Sequence, residues 1–232
     1  MNRLLLFLLT FSLLFFFSCT SNEIGNAKDV NPEAIYFDYR IWGEEGNDQV
    51  TVKLQYRFGG PNGTTLLLEE PGKVELDGQV LKADSSSYSG VYYEVQKPVA
   101  SFTGRHTIVF TDINKKEYKE IFTFRPIALE TEIPDTIQRS RIVFKFRGID
   151  GPDYIRVLMT DTSFTGEGIN RLDTVYRDGL IKIKKEEMAE LANGPIQLEL
   201  IREFDKPVRN GTSEGGRVSI TYTLRREFFL KD

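Results

Sequence analysis

The chain has one cysteine and one histidine among its 232 residues, and these side chains often supply a nucleophile and a general base. Cys19 ends an apolar segment, and His106 follows Arg105 at the start of a predicted strand. One serine, Ser213, has the Gly-x-Ser-x-Gly spacing of a nucleophile elbow, but it lies in the predicted loop 207–216 and not between a strand and a helix. An ordinary zinc site takes several Cys, His or carboxylate ligands. We therefore predict no catalytic residue, no cofactor and no metal site, and we predict that His106 is structural.

Carboxylates could still do chemistry, because glycoside hydrolysis requires only two of them. Neighbouring residues on a strand point to opposite faces, so adjacent acids do not converge on one substrate. Solvated charge on loops and on a helix surface explains the three adjacent pairs, Glu44-Glu45, Glu69-Glu70 and Glu186-Glu187. A hydrolase that acts on envelope glycans is kept as an alternative, without an assigned pair of catalytic acids.

Loop oxygens and aromatic rings suggest two kinds of binding site. Calcium takes about six to eight oxygen ligands, and the loop aspartates that could contribute are Asp150, Asp153 and Asp161. No EF-hand spacing is present, and turn formation explains these aspartates. The rings that could stack on a sugar are Trp42, Tyr88, Tyr92 and Tyr93. Because core packing explains a single tryptophan equally well, we assign no ligand-binding residue.

The N-terminus has the pattern of a secretory signal. Arg3 precedes an apolar run over 4–17, and Ser18-Cys19 ends it. This run is shorter than the roughly 20 apolar residues that a membrane-spanning helix needs, and no basic cluster follows it. The pattern predicts a signal peptide over 1–18 with a single thiol at the cleavage point.

The motif Phe16-Phe17-Ser18-Cys19 resembles a bacterial lipobox. This resemblance implies cleavage before Cys19 and lipidation of its thiol and new amine by fatty acids such as palmitate. The phenylalanine-rich segment and the polar residues after it resemble lipoproteins of the Bacteroidota. Because Thr20 rather than aspartate follows the cysteine, the resemblance implies a cell-envelope lipoprotein of the outer membrane, on an undetermined face. An ordinary signal peptide, with Cys19 incidental, is the alternative.

Composition excludes one class of partner. The chain carries 30 basic and 34 acidic side chains, for a formal net charge of −4. Binding to nucleic acid depends on clustered Lys and Arg that neutralise phosphates. We therefore expect no nucleic-acid partner.

Alternating apolar and polar residues predict an all-β fold. The clearest strands are 50–58, 106–110 and 117–124 in the first half, and 141–147, 196–201 and 218–224 in the second. Gly- and Pro-rich turns separate them, as in β-sandwiches. The only predicted helix covers 184–192. We predict two tandem immunoglobulin-like β-sandwiches, over 34–126 and 134–232, preceded by a lipidated flexible tether over 19–33.

Two short motifs, Asp135-Thr136-Ile137 and Asp173-Thr174-Val175, resemble the O-glycosylation sequon of Bacteroidota. This resemblance implies glycosylation at Thr136 and Thr174. Intact mass of natively produced protein tests that hypothesis.

The leading functional expectation is a membrane-tethered, non-enzymatic module that binds a protein or glycan or joins an envelope assembly. Sandwich domains often use their loops for recognition, so the candidate contact regions are the loops 43–48, 84–89, 163–168 and 208–216. The alternatives are the glycan hydrolase and a purely architectural spacer.

Overall fold

The computed structural model describes residues 24–162 and 168–232, and most of them lie in β-strands. The predicted signal peptide and Cys19 fall outside the described residues, as does most of the candidate loop 163–168. Within the described ranges, no helix has both the length and the apolar character needed to cross a bilayer.

The first half contributes ten strands, one short helix and two 3-10 turns. The strands are β1 Ile24–Asn26, β2 Ile35–Glu44, β3 Gln49–Phe58, β4 Thr64–Leu67, β5 Lys73–Leu76, β6 Gln79–Val80, β7 Ala83–Ser86, β8 Gly90–Pro98, β9 Gly104–Thr111 and β10 Glu117–Phe124. The helix α1 covers Val99–Phe102, and the 3-10 turns cover Ala27–Asp29 and Pro32–Ala34.

The second half contributes eight strands and one 3-10 turn among the described residues. The strands are β11 Ala128–Leu129, β12 Thr136–Gln138, β13 Ile142–Arg147, β14 Asp153–Asp161, β15 Ile169–Val175, β16 Leu180–Ile183, β17 Gly194–Pro207 and β18 Gly216–Lys231. The 3-10 turn covers Glu186–Met188.

One large sheet runs through both halves, in the order β1-β4-β3-β2-β18-β17-β14-β15. Strand β18 joins the halves, because its first residues pair in parallel with β2 while its whole length pairs antiparallel with β17. Strands β8 and β12 add to β3 and β18, and β7 adds to β8. The β17–β18 hairpin is therefore part of the packing of both halves.

Two smaller sheets complete the sandwich-like packing. The first, β10-β9-β5-β6, covers the first half: the Phe37 ring lies 5.1 Å from Phe110 and 5.7 Å from Tyr118. The second, β11-β13-β16, buries Phe144 and Ile181 in the same hydrophobic cluster as Leu198 of β17. Side chains alternate between the two faces of a strand. This alternation puts the apolar side chains on the inner face of the large sheet.

The structure confirms the predicted all-β, sandwich-like fold. The boundaries of the two predicted domains, 34–126 and 134–232, stay a prediction. The sequence pattern indicated a final hairpin in the second half but not its pairing with β2. The predicted helix over 184–192 is mostly absent and is reduced to the 3-10 turn. There the carboxylate of Glu187 accepts a hydrogen bond from the backbone N–H of Lys184 at 2.7 Å and closes the turn.

The expected flexible tether differs from the structure between Ile24 and Glu33. Strand β1 pairs in parallel with β4, and Ala27 is buried in the core. The side chain of Asn31 accepts a hydrogen bond from the backbone N–H of Glu33 at 3.1 Å. The sequence did not predict β1 because three residues are too few to show an alternating pattern. The strand forms because pairing with β4 supplies its backbone hydrogen bonds.

Candidate functional site

A cleft of about 510 Å³ lies where the first small sheet ends over the hairpin. Strands β17 and β18 form its floor, and the edge strand β10 forms one wall. On the inner face of β17, apolar side chains give way after Leu200 to Arg202, Phe204 and Lys206. The cleft is therefore built where the inner face of the shared sheet changes from apolar to cationic.

The lining of the cleft is strongly basic although the chain as a whole is acidic. Its basic side chains are Arg105, Lys119, Arg125, Arg202, Lys206 and Arg209. Its acidic side chains are Glu120 and Asp153. Six cations against two anions give the lining a formal charge of +4, whereas the chain carries −4. Such a local excess attracts anions and is screened by salt.

Glu120 is neutralised inside the wall of the cleft. It is only 2% exposed, its carboxylate pairs with the ammonium group of Lys206, and it accepts the backbone N–H of Arg209 at 2.8 Å. Lys206 also donates to the carbonyl of Ile121 at 2.8 Å. These contacts fasten β10 to the hairpin, so we assign Glu120 and Lys206 to the frame of the cleft.

Asp153 is neutralised in the same way at the other side. Arg202 donates to both of its carboxylate oxygens from Nη2, at 2.9 Å each, and adds a bond from Nε at 3.1 Å. The remaining nitrogen, Nη1, donates to the carbonyl of Arg125 at 2.7 Å. Both acids of the cleft are therefore held by a cation, and neither lies beside a second acid in its lining.

Three cations of the lining have no ion-pair or hydrogen-bond partner for their charged groups within 24–162 and 168–232. They are Arg105 at the start of β9, Lys119 on β10 and Arg209 in the loop after β17. All three are exposed. The Phe204 ring is 43% exposed beside them and offers an apolar surface. The cleft thus combines unpartnered positive charge with an aromatic face.

Among the described residues, the hydrogen-bond partners of the His106 ring are Asp77 and Phe102. Its Nδ1 lies 2.7 Å from the carboxylate of Asp77, its Nε2 lies 2.7 Å from the carbonyl of Phe102, and its ring stacks on Phe102 with centroids 3.8 Å apart. Both nitrogens therefore face acceptors. These contacts fix the turn between β5 and β6 to α1, which is a structural role.

The adjacent glutamates are held mainly by basic side chains. Glu44 and Glu45 pair with Arg225 and Arg226. Glu69 pairs with Lys28 at 2.5 Å, and Glu187 pairs with Arg171. The pairs lie on separate elements, and none belongs to the lining of the cleft.

The loop aspartates that were considered as possible calcium ligands are each held by another group. Asp150 pairs with Arg125, Asp153 pairs with Arg202, and Asp161 accepts the backbone N–H of Ala192 at 2.7 Å. In the part of the chain that the structure describes, no three His, Cys, Asp or Glu side chains form a group that could hold a metal ion.

The candidate sugar-stacking rings are also dispersed. Trp42 and Tyr88 are exposed, but they lie near opposite ends of β3. Tyr93 is buried, and its hydroxyl accepts the backbone N–H of Leu68 at 2.7 Å. The Lys53 ammonium covers the Tyr92 ring at 3.7 Å. These rings form no common platform.

Sequence reasoning missed the cleft because its cations come from distant segments. Of the four candidate loops, 208–216 contributes Arg209 and Asn210. One sequence signal was available: Arg202 and Lys206 continue the inward-facing positions of an apolar strand.

In both sequon-like motifs the threonine, Thr136 or Thr174, is exposed.

Comparisons with known proteins give no family. No family model matches the chain, and no curated protein matches it. Among solved structures, a tetra-tandem repeat from the extending region of a large adhesion protein has a TM-score of 0.25 and 16% identity, covering 82% of this chain and 49% of that one. The chain therefore spans about half of that structure's length.

Two further structures illustrate the range of matches. The two immunoglobulin domains of DIP-gamma have a TM-score of 0.24 and 10% identity, covering 85% of this chain and 95% of that one. SGBP-B of the Bacteroides ovatus mixed-linkage glucan utilization locus, in complex with a mixed-linkage heptasaccharide, has a TM-score of 0.22 and 13% identity. The match covers 84% of this chain and 44% of that one. These similarities are too low to assign a function.

Proposed function

We propose that the protein is a lipid-anchored, non-enzymatic binding module of the cell envelope, and that its ligand is an anionic glycan held in the cleft between β10 and the hairpin. The observation that carries this proposal is the set of three unpartnered cations, Arg105, Lys119 and Arg209, around a concave surface. A ligand that supplies several negative charges would complete their hydrogen bonding.

The chemistry of the lining favours carboxylate or sulfate groups on a sugar chain. Guanidinium groups bind carboxylates and other planar or tetrahedral oxyanions through paired hydrogen bonds. The exposed Phe204 ring, on the floor strand β17, supplies an apolar face on which the C–H side of a sugar can lie. A volume of about 510 Å³ falls in the usual range for ligand sites.

The anchor in this proposal rests on the N-terminal sequence. Arg3, the apolar run and Ser18-Cys19 form a signal of the lipoprotein type. Lipidation of Cys19 by fatty acids would hold the module at the envelope, at the outer membrane in this proposal. Metabolic labelling with a fatty-acid analogue tests this part: we expect label on the wild type and none on Cys19→Ala.

Ligand binding is tested separately with the folded module. We expect isothermal titration calorimetry to detect binding of polygalacturonate or chondroitin sulfate and no binding of neutral dextran. Binding of the two polyanions should weaken as salt is added. The triple substitution Arg105→Ala, Lys119→Ala and Arg209→Ala should lower affinity at least about tenfold. The reason is that a hydrogen bond to a charged group contributes about 1.5–3 kcal/mol and every 1.4 kcal/mol is about a factor of ten.

A matched control removes the same charge elsewhere. Arg141→Ala, Arg147→Ala and Lys182→Ala alter three exposed cations outside the cleft, and we expect affinity to stay within about twofold. Equal losses in both triple variants would mean that net charge alone attracts the ligand. Release of new reducing ends would identify a hydrolase. If neither polyanion bound, the architectural spacer would be the remaining function.

A further inference from the structure

The first residue that the structure describes, Ile24, lies only a few residues after the cysteine that the proposed function lipidates. Five residue steps separate Cys19 from Ile24. At about 3.3–3.6 Å per residue, even a fully extended chain spans at most about 18 Å. Strand β1 must therefore lie close to the bilayer surface in a lipidated molecule.

The segment after Ile24 gives no additional reach, because it is fastened to the body. Strand β1 pairs with β4, and Lys28 pairs with Glu69 at 2.5 Å. The carboxylate of Glu33 accepts hydrogen bonds from Lys116 at 2.8 Å and from the backbone N–H of Ser213 at 3.0 Å. Extending the tether through 24–33 would require breaking these contacts.

Pairing registers show which end of the body faces the anchor. Ile24 lies opposite Thr65, and Phe58 lies opposite both Ile35 and Thr64. The turn 59–63 therefore lies at the same end as the start of β1, and we call this the anchor end. The loop 45–48 lies at the other end of β2, whose ten residues span about 33 Å.

The anchor end exposes apolar side chains where the lipid would lie. Ile24 is 53% exposed and Phe58 is 44% exposed. The turn between β3 and β4 has the sequence Gly-Gly-Pro-Asn-Gly and carries no charge. Arg57 and Glu214 lie beside this turn, and Arg57 donates to the carbonyl of Gly63 at 3.2 Å. Exposed apolar side chains favour the interface between headgroups and acyl chains.

We infer that the anchor end, defined by Ile24, Phe58 and the turn 59–63, rests on the lipid bilayer surface. This inference depends on the lipid anchor of the proposed function and does not depend on the ligand of the cleft. It implies an upright molecule whose loop 45–48 points away from the membrane. Because the contact is apolar, zwitterionic lipid is sufficient for it.

Single-cysteine labelling tests this orientation. Cys19 is the only cysteine and its thiol is blocked by lipidation in the proposal, so an introduced cysteine is the only free thiol. Asn62→Cys marks the anchor end, and the matched Asn47→Cys marks the far end. The full lipidated chain, labelled with a fluorophore, is placed in phosphatidylcholine vesicles that contain nitroxide-labelled headgroups.

We expect strong quenching of the label at position 62 and little at position 47. Replacing Phe58 by Ser, or inserting about 15 Gly and Ser residues after Asn22, should reduce quenching at position 62 by more than half. Equal quenching at both positions, or stronger quenching at 47, would overturn the inferred orientation. A chain that carries no acyl mass and does not bind the vesicles would overturn the anchor and this inference together, while polyanion binding would still test the cleft.

Discussion

Glu33 connects three segments that are far apart in the sequence. Its carboxylate accepts hydrogen bonds from Lys116 at 2.8 Å, from the hydroxyl of Tyr118 at 3.1 Å and from Ser213 at 3.0 and 3.1 Å. The Lys116 ammonium is the main reason that the pKa of Glu33 falls from its ordinary value of 4.5 to about 2, and the Ser213 backbone N–H is the next. The ionised carboxylate is thus the form that the fold prefers.

The lowered pKa of Glu33 predicts a loss of stability in acid. In the unfolded chain this carboxyl takes up its proton near pH 4.5, whereas in the folded chain it does so only near pH 2. Its stabilising contribution is complete above about pH 4.5 and is lost as the pH falls toward 2. Urea denaturation of the wild type and of Glu33→Gln should therefore differ at pH 7, differ less at pH 3 and converge only near pH 2.

A second variant controls for the general effect of acid. Glu70→Gln alters an exposed carboxylate that has no hydrogen-bond partner among the described residues. We expect its denaturation midpoints to parallel those of the wild type at every pH. If Glu33→Gln behaved like Glu70→Gln, the contacts of Glu33 would not contribute to stability.

At the scale of elements, the wall of the cleft depends on one buried ion pair. Glu120 of β10 and Lys206 of β17 have side chains that are both largely buried, and Lys206 also satisfies the carbonyl of Ile121 on the open edge of β10. Charged side chains protect sheet edges from pairing with other chains. The pair therefore both holds β10 in place and covers its edge.

Removing Lys206 should strongly destabilise the fold, because its partner Glu120 is buried. Lys206→Met leaves the Glu120 carboxylate buried without its cation, and breaking such a pair costs about 3–5 kcal/mol. The double variant Lys206→Met with Glu120→Gln removes both charges, so most of the loss should be recovered. Chemical denaturation of the single and double variants measures this coupling, and additive losses would contradict it.

Several elements could be predicted from the sequence because their faces differ locally. The alternation over 50–58 matches β3, and 117–124 matches β10. Strand β1 has too few residues to alternate, and helix α1, at four residues, is below the length at which a helical period can be recognised. The helix predicted over 184–192 was wrong because its buried Met188 and Leu191 fit an irregular turn equally well.

The candidate site was much less predictable than the strands. Arg105 and Arg209 meet only because β9, β10 and the hairpin converge, and no local pattern encodes that convergence. The parallel pairing of β18 with β2 joins segments from the two ends of the described chain. Local periodicity shows which face of each strand is buried, but it does not identify the strand's neighbours.

At the scale of the whole molecule, the shared sheet predicts that the two halves unfold together. Trp42 is the only tryptophan and lies on β2, in the first half. Ile183 is fully buried on β16, in the second half. Ile183→Val should destabilise the protein by about 0.5–1.5 kcal/mol. If the halves unfold together, the urea transition reported by Trp42 fluorescence should shift to lower denaturant.

Circular dichroism gives the independent comparison. We expect the transition measured by far-ultraviolet dichroism to coincide with the fluorescence transition in both proteins. A Trp42 transition that stays unchanged while the dichroism curve splits in two would mean that the halves are separate folding units. In that case the hairpin would contribute little to cooperativity.

The position of β18 also affects the order in which the sheet can be completed. Strand β2 lies in the middle of the finished sheet, and the nearby contact between Thr212 and Ile35 already spans 177 positions. A chain that emerges with its N-terminus first therefore presents β2 well before the strand that covers its open side. Until β18 is in place, the open side of β2 is an unfinished sheet edge that can pair with other chains.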